Sequence, residues 1–534
     1  MSGQTFAQKA KGQYFTPPEV ARLVWEILIE WAKPAGSVRV CDPAAGEGVF
    51  LETAAEALGT NTAMTGMDLD AKLHRTWASL QKLHPNFSFH CSNGLCDLPS
   101  AGFEEERYDF VAGNPPFGGE GLRNTIALDR GLLESVLRLE SWRLPAADYG
   151  RLLEEFHNQT SGGQRTELMK AIKRLRHYSI EALFFERFVR LAKPGGWIAV
   201  ILPEGLLAND RHRRVRQWIA EHAHLRGVIN LPRRTFSQAK TSAHTSLVIL
   251  QRKGRKTCGR PILFANPGYS ASNPSFETYA NEVAEAARGE GKQRSCFRFL
   301  EVETVGERRW HSGFFDPNLK LPEKSSMRFP VRPLGDFIEF MTYGPIITGE
   351  RVREVGRGRV KVIGQKAILQ TGIDVQRADR VPSGSRFDPP RSRPQLGDLL
   401  MPRSGNGSLA KNKLAVFTGG YRANVGCFVD IVRLRGINPF YVWMFLKTDY
   451  GFDQIRRLFN GVGTVNLSFD EIRSLRIPEA PAVLQTKMEE RYRLDVLPLH
   501  EKQCRSNSRT RAESLGAQAK LKLSTIVEDL QKIL

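Results

Sequence analysis

This 534-residue chain has no pair of cysteines at zinc-ligand spacing. Its seven cysteines, Cys41, Cys91, Cys96, Cys258, Cys296, Cys427 and Cys504, are scattered and odd in number. That argues against a disulfide framework and a structural metal, and predicts a reducing, cytoplasmic setting. No run of about 18 apolar residues occurs, and the opening Met1-Ser-Gly-Gln-Thr5 carries no charged segment leading into an apolar one. The expectation is a chain with no membrane partner and no secretory leader. Acidic residues are in deficit. There are 77 Lys and Arg against 57 Asp and Glu, a formal net charge of +20, which favours a polyanionic partner.

What is present begins as an alternating α/β pattern over residues 1–255. Thr16-Pro17-Pro18-Glu19 is expected to open a helix, with Thr16 capping its free N–H groups. Val20, Leu23, Val24, Ile27 and Leu28 then fall on one face. A short strand, Val38–Cys41, runs into Asp42-Pro43-Ala44-Ala45-Gly46-Glu47-Gly48, a glycine turn feeding a helix. The third glycine of a dinucleotide fingerprint is missing, since Leu51 stands there, so a ligand without a pyrophosphate is favoured. Strands are expected at 63–68, ending in Asp68, at 87–90, leading to Asn93, and at 108–112, leading to Asn114. Asp68 has the spacing to accept both hydroxyls of a ribose, and Asn93 to read an adenine amino group. The ligand groups therefore gather at the carboxyl edge of one parallel sheet. A helix at 180–191, strands at 197–202 and 227–231, and a closing strand at 245–251 complete the reading, with 118–178 as an insertion or lid.

Asn114-Pro115-Pro116-Phe117 carries the chemistry. The N6 nitrogen of adenine is a weak nucleophile because its lone pair is delocalised into the ring. The Asn114 side-chain carbonyl and the Pro115 backbone carbonyl can accept its two N–H protons and localise that pair. The prolines fix the backbone, and Phe117 offers a ring to an extruded base, with Phe236 a candidate for its opposite face.

The order of these motifs resembles the γ group of amino-methyltransferases. Gly12-Gln-Tyr14-Phe-Thr16-Pro17 resembles the cofactor motif that precedes the main fold, and the Asp42–Gly48 stretch the S-adenosylmethionine loop. Asn114–Phe117 is similar to the catalytic motif, and 179–210 to modification subunits of type I restriction–modification systems. The resemblance implies a Rossmann-like methyltransferase fold and S-adenosyl-L-methionine as cofactor. It carries Tyr14, Thr16, Asp42, Ala44, Gly46, Gly48, Asp68 and Asn93 into binding roles. Asn93 stands where many members have Asp, and Asn rather than Ser at 114 points to adenine N6 over cytosine N4.

Residues 306–480 change character, to short strands, glycine turns and scattered arginines, after a linker expected at 256–305. Between 331 and 480 there are 23 Lys and Arg against 14 Asp and Glu, a net of +9. Gly397–Ser408 and Gly461–Pro478 resemble one target-recognition domain of type I specificity subunits, which implies double-stranded DNA as partner. A helical tail, 481–534, is expected to break at Pro498. Its Leu523, Ile526, Leu530 and Ile533 form a seam suited to a partner helix, hence to a homodimer. No nuclease is expected within this chain, so restriction is expected to need a partner subunit. Methylation of an RNA base or of protein glutamine, and DNA binding without catalysis, stay open as alternatives.

Overall fold

The computed structural model describes residues 16–59, 62–117, 130–143, 150, 154, 156–157, 166–232, 235, 244–266, 276–289, 297–306, 309–316, 318–323, 326–346, 358–459 and 465–534. The chain divides into two units, Met1–Pro317 and Asn318–Leu534.

The first unit is built on nine strands: β1 (Arg39–Asp42), β2 (Ala63–Asp68), β3 (Phe87–Cys91), β4 (Tyr108–Gly113), β5 (Ala192–Pro203), β6 (Ala223–Asn230), β7 (Thr245–Arg252), β8 (Ile262–Ala265) and β9 (Phe297–Leu300). They are ordered β3-β2-β1-β4-β5-β7-β6-β8-β9. The five strands β1 to β5 are mutually parallel, and β7 lies antiparallel between β5 and β6. Chain order reverses beside β1, with β2 on one side and β4 on the other, and at such a switch the loops part to leave a crevice. The apolar run 197–202 is explained by burial on both faces. Ile198, Val200 and Leu202 enter one core, whereas Trp197, Ala199 and Ile201 enter the other, the two-residue period of a strand covered by helices on both sides.

Four expectations need correction. Thr16 does not cap the first helix, which spans Pro18–Ala32 with Pro17 at the N-cap and no side-chain cap bond. Nor does β7 close the sheet. Residues 256–305, expected as a linker, supply β8, β9 and the helix Phe276–Ala287, and they belong to the first unit. The insertion is not merely a solvated lid. Its helix Arg130–Arg138 buries Leu132, Leu133, Val136 and Leu137 in the same core as β5.

The fourth correction concerns the tail. In the second unit, Ile338–Tyr343, Val429–Leu434, Leu399–Pro402 and Ala415–Val416 form an antiparallel sheet in that order. A three-stranded sheet, Asp379–Val381, Val360–Ile363 and Ala423–Val425, accompanies it. The helix Arg509–Ile533 buries Ala519, Leu523, Ile526 and Leu530 in this unit's own core. The seam is thus already covered within the chain and is not free for a second copy. Pro498 does not break the tail either. It lies in the helix Leu497–Arg505, directly after a π-turn at Tyr492–Val496 that absorbs the irregularity.

Candidate active site

Three loops meet at the carboxyl ends of β1 to β4. The first, after β1, is wrapped by two carboxylates. Asp42 accepts the Ala44 amide at 2.9 Å. Asp68, at the end of β2, accepts the Gly46 amide at 2.9 Å with one oxygen and the Asp70 amide at 2.9 Å with the other. Trp77 donates its indole N–H to the Gly46 carbonyl at 2.9 Å. Gly48 has φ of 92°, and a Cβ there would approach Leu80 to 2.9 Å, so backbone conformation and space both demand glycine.

The second loop carries Asn93 and Gly94. Asn93 forms a local turn, its Oδ1 accepting the Leu95 amide at 3.0 Å. A Cβ on Gly94 would run into the Pro43 carbonyl, so this loop lies directly on the first. Arg187, 2% exposed, fastens it from the helix Ile180–Leu191, donating to the Gly94 carbonyl at 3.1 Å and to Asp97 at 2.6 Å.

The third loop is Asn114–Phe117. Asn114 donates from Nδ2 to the Thr16 hydroxyl at 3.1 Å, across 98 residues of sequence. With the amino side of the amide tied to Thr16, its carbonyl is turned the other way. A Cβ on Gly113 would collide with the Asp42 carboxylate, so the catalytic loop and the cofactor loop are in direct contact. Phe117 is 3% exposed. Its ring anchors the loop in protein instead of standing open to a base. Tyr14 and Phe236 lie outside the described residues.

Electrostatically, Asp42 is the unusual group. It is 1% exposed, and its Oδ2 is buried without a hydrogen-bond partner among the described residues. Burial, only partly countered by the Ala44 amide and reinforced by the charge of Asp68, pushes its pKa up to about 8. Asp68 is also raised, mainly by burial. A buried acid and a half-buried one, a glycine cradle and, among the described residues, no ion pair to either acid suit a cationic, hydroxyl-bearing ligand. S-adenosylmethionine, which joins a sulfonium and an ammonium to a ribose, fits that donor set. Among the described residues no group of three or more His, Cys, Asp or Glu is gathered to hold a metal, and no helix is long and apolar enough to cross a membrane.

The expected residues Asp42, Ala44, Gly46, Gly48, Asn93, Asn114, Pro115, Pro116 and Phe117 therefore lie on three touching loops, and Thr16 and Asp68 are each bonded to one of them. Gly113 and Arg187 escaped the sequence reading. The one available signal for Arg187 was a Glu186-Arg187 pair inside an otherwise apolar run, Ala182–Val189.

A phage P1 protein, "Defense against restriction protein B", is 25% identical over 267 residues, 50% of this chain and 9% of that protein. The type II methyltransferase M.TthHB8I of Thermus thermophilus is 24% identical over 257 residues, 47% of each chain. The chain thus spans less than half the length of either relative. Among solved structures, a DrdV–DNA complex shares the fold with a TM-score of 0.50 at 10% identity, over 93% of this chain and 58% of that one. A type I restriction–modification methyltransferase subunit from Streptococcus thermophilus aligns over 55% of this chain and 57% of its own, at 17% identity and a TM-score of 0.39. The profile of the N-6 DNA Methylase family matches residues 4–132 and 165–284, the stretch that carries β1 to β8 and all three loops. Over these residues the chain matches the N-6 DNA Methylase family.

Proposed function

We infer that the protein transfers a methyl group from S-adenosylmethionine to N6 of adenine at a defined sequence in duplex DNA. The observation that carries this reading is the Asn114 amide, fixed through Nδ2 to Thr16 on a loop packed against Asp42. In this reading the Asn114 and Pro115 carbonyls accept the two N6 protons and aim the nitrogen lone pair. Asp42 and Asp68 orient the cofactor, which supplies an electrophilic methyl on a positively charged sulfur. The methylated nitrogen then sheds one proton to water, so no strong base is required. Rate comes from positioning and from carbonyl dipoles set in advance. Phe117 would have to be uncovered before a base could stack on it.

The second unit would supply sequence recognition. Arg403 supports that reading: its guanidinium lies 4.0 Å from the Tyr343 ring centre and 4.9 Å from that of Phe469, with Asp430 at 3.2 Å. It begins the Arg403–Ser408 glycine turn within the segment of net charge +9. An arginine held rigid between rings suits a fixed contact to a base edge or phosphate. We place this activity in a restriction–modification or phage-defence system; the name of the type II methyltransferase relative supports the first of these.

The test is modification-sensitive long-read sequencing of a methylation-free bacterial host expressing wild type or Asn114→Ala. One sequence motif bearing N6-methyladenine, lost in the mutant, is the expected result. Methyl transfer in vitro to RNA or protein but not to duplex DNA would overturn the reading.

A further inference from the structure

A second cavity lies on the first unit, at the opposite edge of the sheet from the three loops. It has a volume of about 600 Å³ and is lined by Trp31, Trp197, Phe299, Arg226, Arg260 and Glu30, among others. Trp197 lies in the amino-terminal half of β5 and Arg226 in that of β6. Both strands run antiparallel to β7, so the cavity lies toward their amino ends, whereas the candidate active site is at the carboxyl ends of β1 to β4.

Arg226 is the reason to regard this cavity as built for a ligand. The register of β6 on β7 slips between Leu225 and Gly227, so Arg226 is the extra residue of a β-bulge, a device that re-aims one side chain. It is 4% exposed. Its Nη2 donates to Gln251 Oε1 at 2.6 Å and to the Cys258 carbonyl at 2.7 Å. Its Nε and Nη1 are buried with no hydrogen-bond partner among the described residues. Among the described residues no carboxylate forms an ion pair with it, and burial followed by the charge of Arg260 lowers its pKa. The Trp197 ring, 5.9 Å from the guanidinium, offsets part of this cost. A buried guanidinium lacking a counter-charge is nonetheless expensive, and an incoming anion would supply what the fold omits.

The remaining walls select the body of that anion. Trp31 and Trp197 lie with ring centres 6.1 Å apart at 43°, Trp31 being held by a hydrogen bond to the Ala287 carbonyl at 2.9 Å. Gly227 leaves room for it, since a Cβ there would come to 3.2 Å from the Trp31 ring. Phe299 is 45% exposed. Flat aromatic walls, two arginines and one carboxylate at the rim, from Glu30, match a flat ring bearing hydroxyl or amino groups and a phosphate. We propose that this cavity is a second, non-catalytic binding site for a purine mononucleotide, with Arg226 and Arg260 on the phosphate and the tryptophans against the base.

The test is titration of the full-length protein with AMP, with adenosine and with inorganic phosphate, each with S-adenosylhomocysteine at saturation and read by calorimetry and by tryptophan fluorescence. AMP is expected to bind and quench the fluorescence, and Asp68→Ala to retain this binding. The exposed substitutions Arg260→Glu and Phe299→Ala should each weaken it at least fivefold without a change in melting temperature. Arg226→Gln should weaken it further. The proposal is overturned if AMP fails to bind, if S-adenosylhomocysteine or Asp68→Ala abolishes its binding, or if Arg260→Glu and Phe299→Ala leave it unchanged. It is equally overturned if phosphate or adenosine alone binds as tightly as AMP.

Discussion

Two carboxylates, each 1% exposed, are treated in opposite ways by the two units. Asp388, in the second unit, is enclosed. Arg393 donates to both of its oxygens at 2.9 and 2.8 Å, Arg422 reaches it at 2.9 Å, and Asn424 and the Gly384 amide each bond at 3.0 Å. Burial pushes its pKa up, but Arg393, the Gly384 amide and Asn424 outweigh burial and hold it at about 2. Asp42, in the first unit, receives one backbone amide and is pushed up to about 8. The fold completes one acid and leaves the other open. An acid completed by the fold serves stability, whereas one left open at the switch point of a parallel sheet is available to a ligand. Asp430 extends the rule within the second unit. Burial, countered only by Arg403, raises it to about 7, and Arg403 is the arginine to which the proposed function gives a nucleic-acid contact.

The sharpest way to break this comparison is to remove each acid and ask what is lost. Asp388→Ala should destabilise the second unit by ~2–3 kcal/mol in urea unfolding. The low end of the range for broken buried pairs applies because the Arg393 and Arg422 side chains are 34% and 52% exposed and can turn to water. Its contribution is present above the ordinary carboxylate range and lost as pH falls toward 2. Cofactor affinity should not change. Asp42→Asn should do the reverse, leaving unfolding within about 0.5 kcal/mol or slightly more favourable to the fold, while S-adenosylmethionine affinity measured by calorimetry falls roughly tenfold or more. Equal losses of stability in both variants would dissolve the distinction.

How far the sequence reveals this contrast depends on where the information sits. β2 falls at the expected 63–68, and the placing of Asp42, Asp68 and Asn114 at strand ends was legible because each sits in a short, ordered motif that follows an apolar run. The turn of Gly46 and Gly48 was legible for a related reason, since local backbone geometry selects the residue. By contrast, β8 and β9 are four residues each, too short to display alternation, and read as linker. Thr16 was assigned to its neighbouring helix because capping is a local rule, yet its hydroxyl serves Asn114 98 residues away. Gly113 and Arg187 act only through tertiary contacts with Asp42 and Gly94, and no local pattern announces them. The seam at Leu523, Ile526 and Leu530 was legible as a seam, but the pattern does not say whether its partner is another chain or the same one.

The open state of Asp42 also predicts a pH dependence. In the ligand-free protein its folded pKa of about 8 exceeds the ordinary value of 3.8, so the folded chain holds a proton that the unfolded chain releases. This group therefore contributes a stability that declines as pH rises from about 4 to about 8 and is level above. A cationic ligand needs the charged carboxylate, so its binding expels that proton. Calorimetry of S-adenosylmethionine binding should show affinity rising with pH up to about 8, by at most about tenfold per unit, with a slope that vanishes in Asp42→Asn. Unchanged slope in that variant would move the titration to another group.

The smallest predicted effect isolates positioning from binding. Thr16→Val removes the hydroxyl that accepts from Asn114 but keeps a β-branched side chain of nearly the same shape at an 8% exposed position. One neutral hydrogen bond contributes ~0.5–1.5 kcal/mol. If that bond serves to aim the Asn114 carbonyl, the loss falls on turnover, and kcat should drop about three- to tenfold with KM for DNA unchanged. Thr16→Ser, which restores the hydroxyl, should recover most of the rate. A purely structural role would instead lower the melting temperature and leave kcat near wild type. A binding role would raise KM for S-adenosylmethionine in Thr16→Val without moving kcat. The split between kcat and KM therefore decides whether Thr16 belongs with Asp388, as part of the completed fold, or with Asp42 and Asn114, as part of the chemistry.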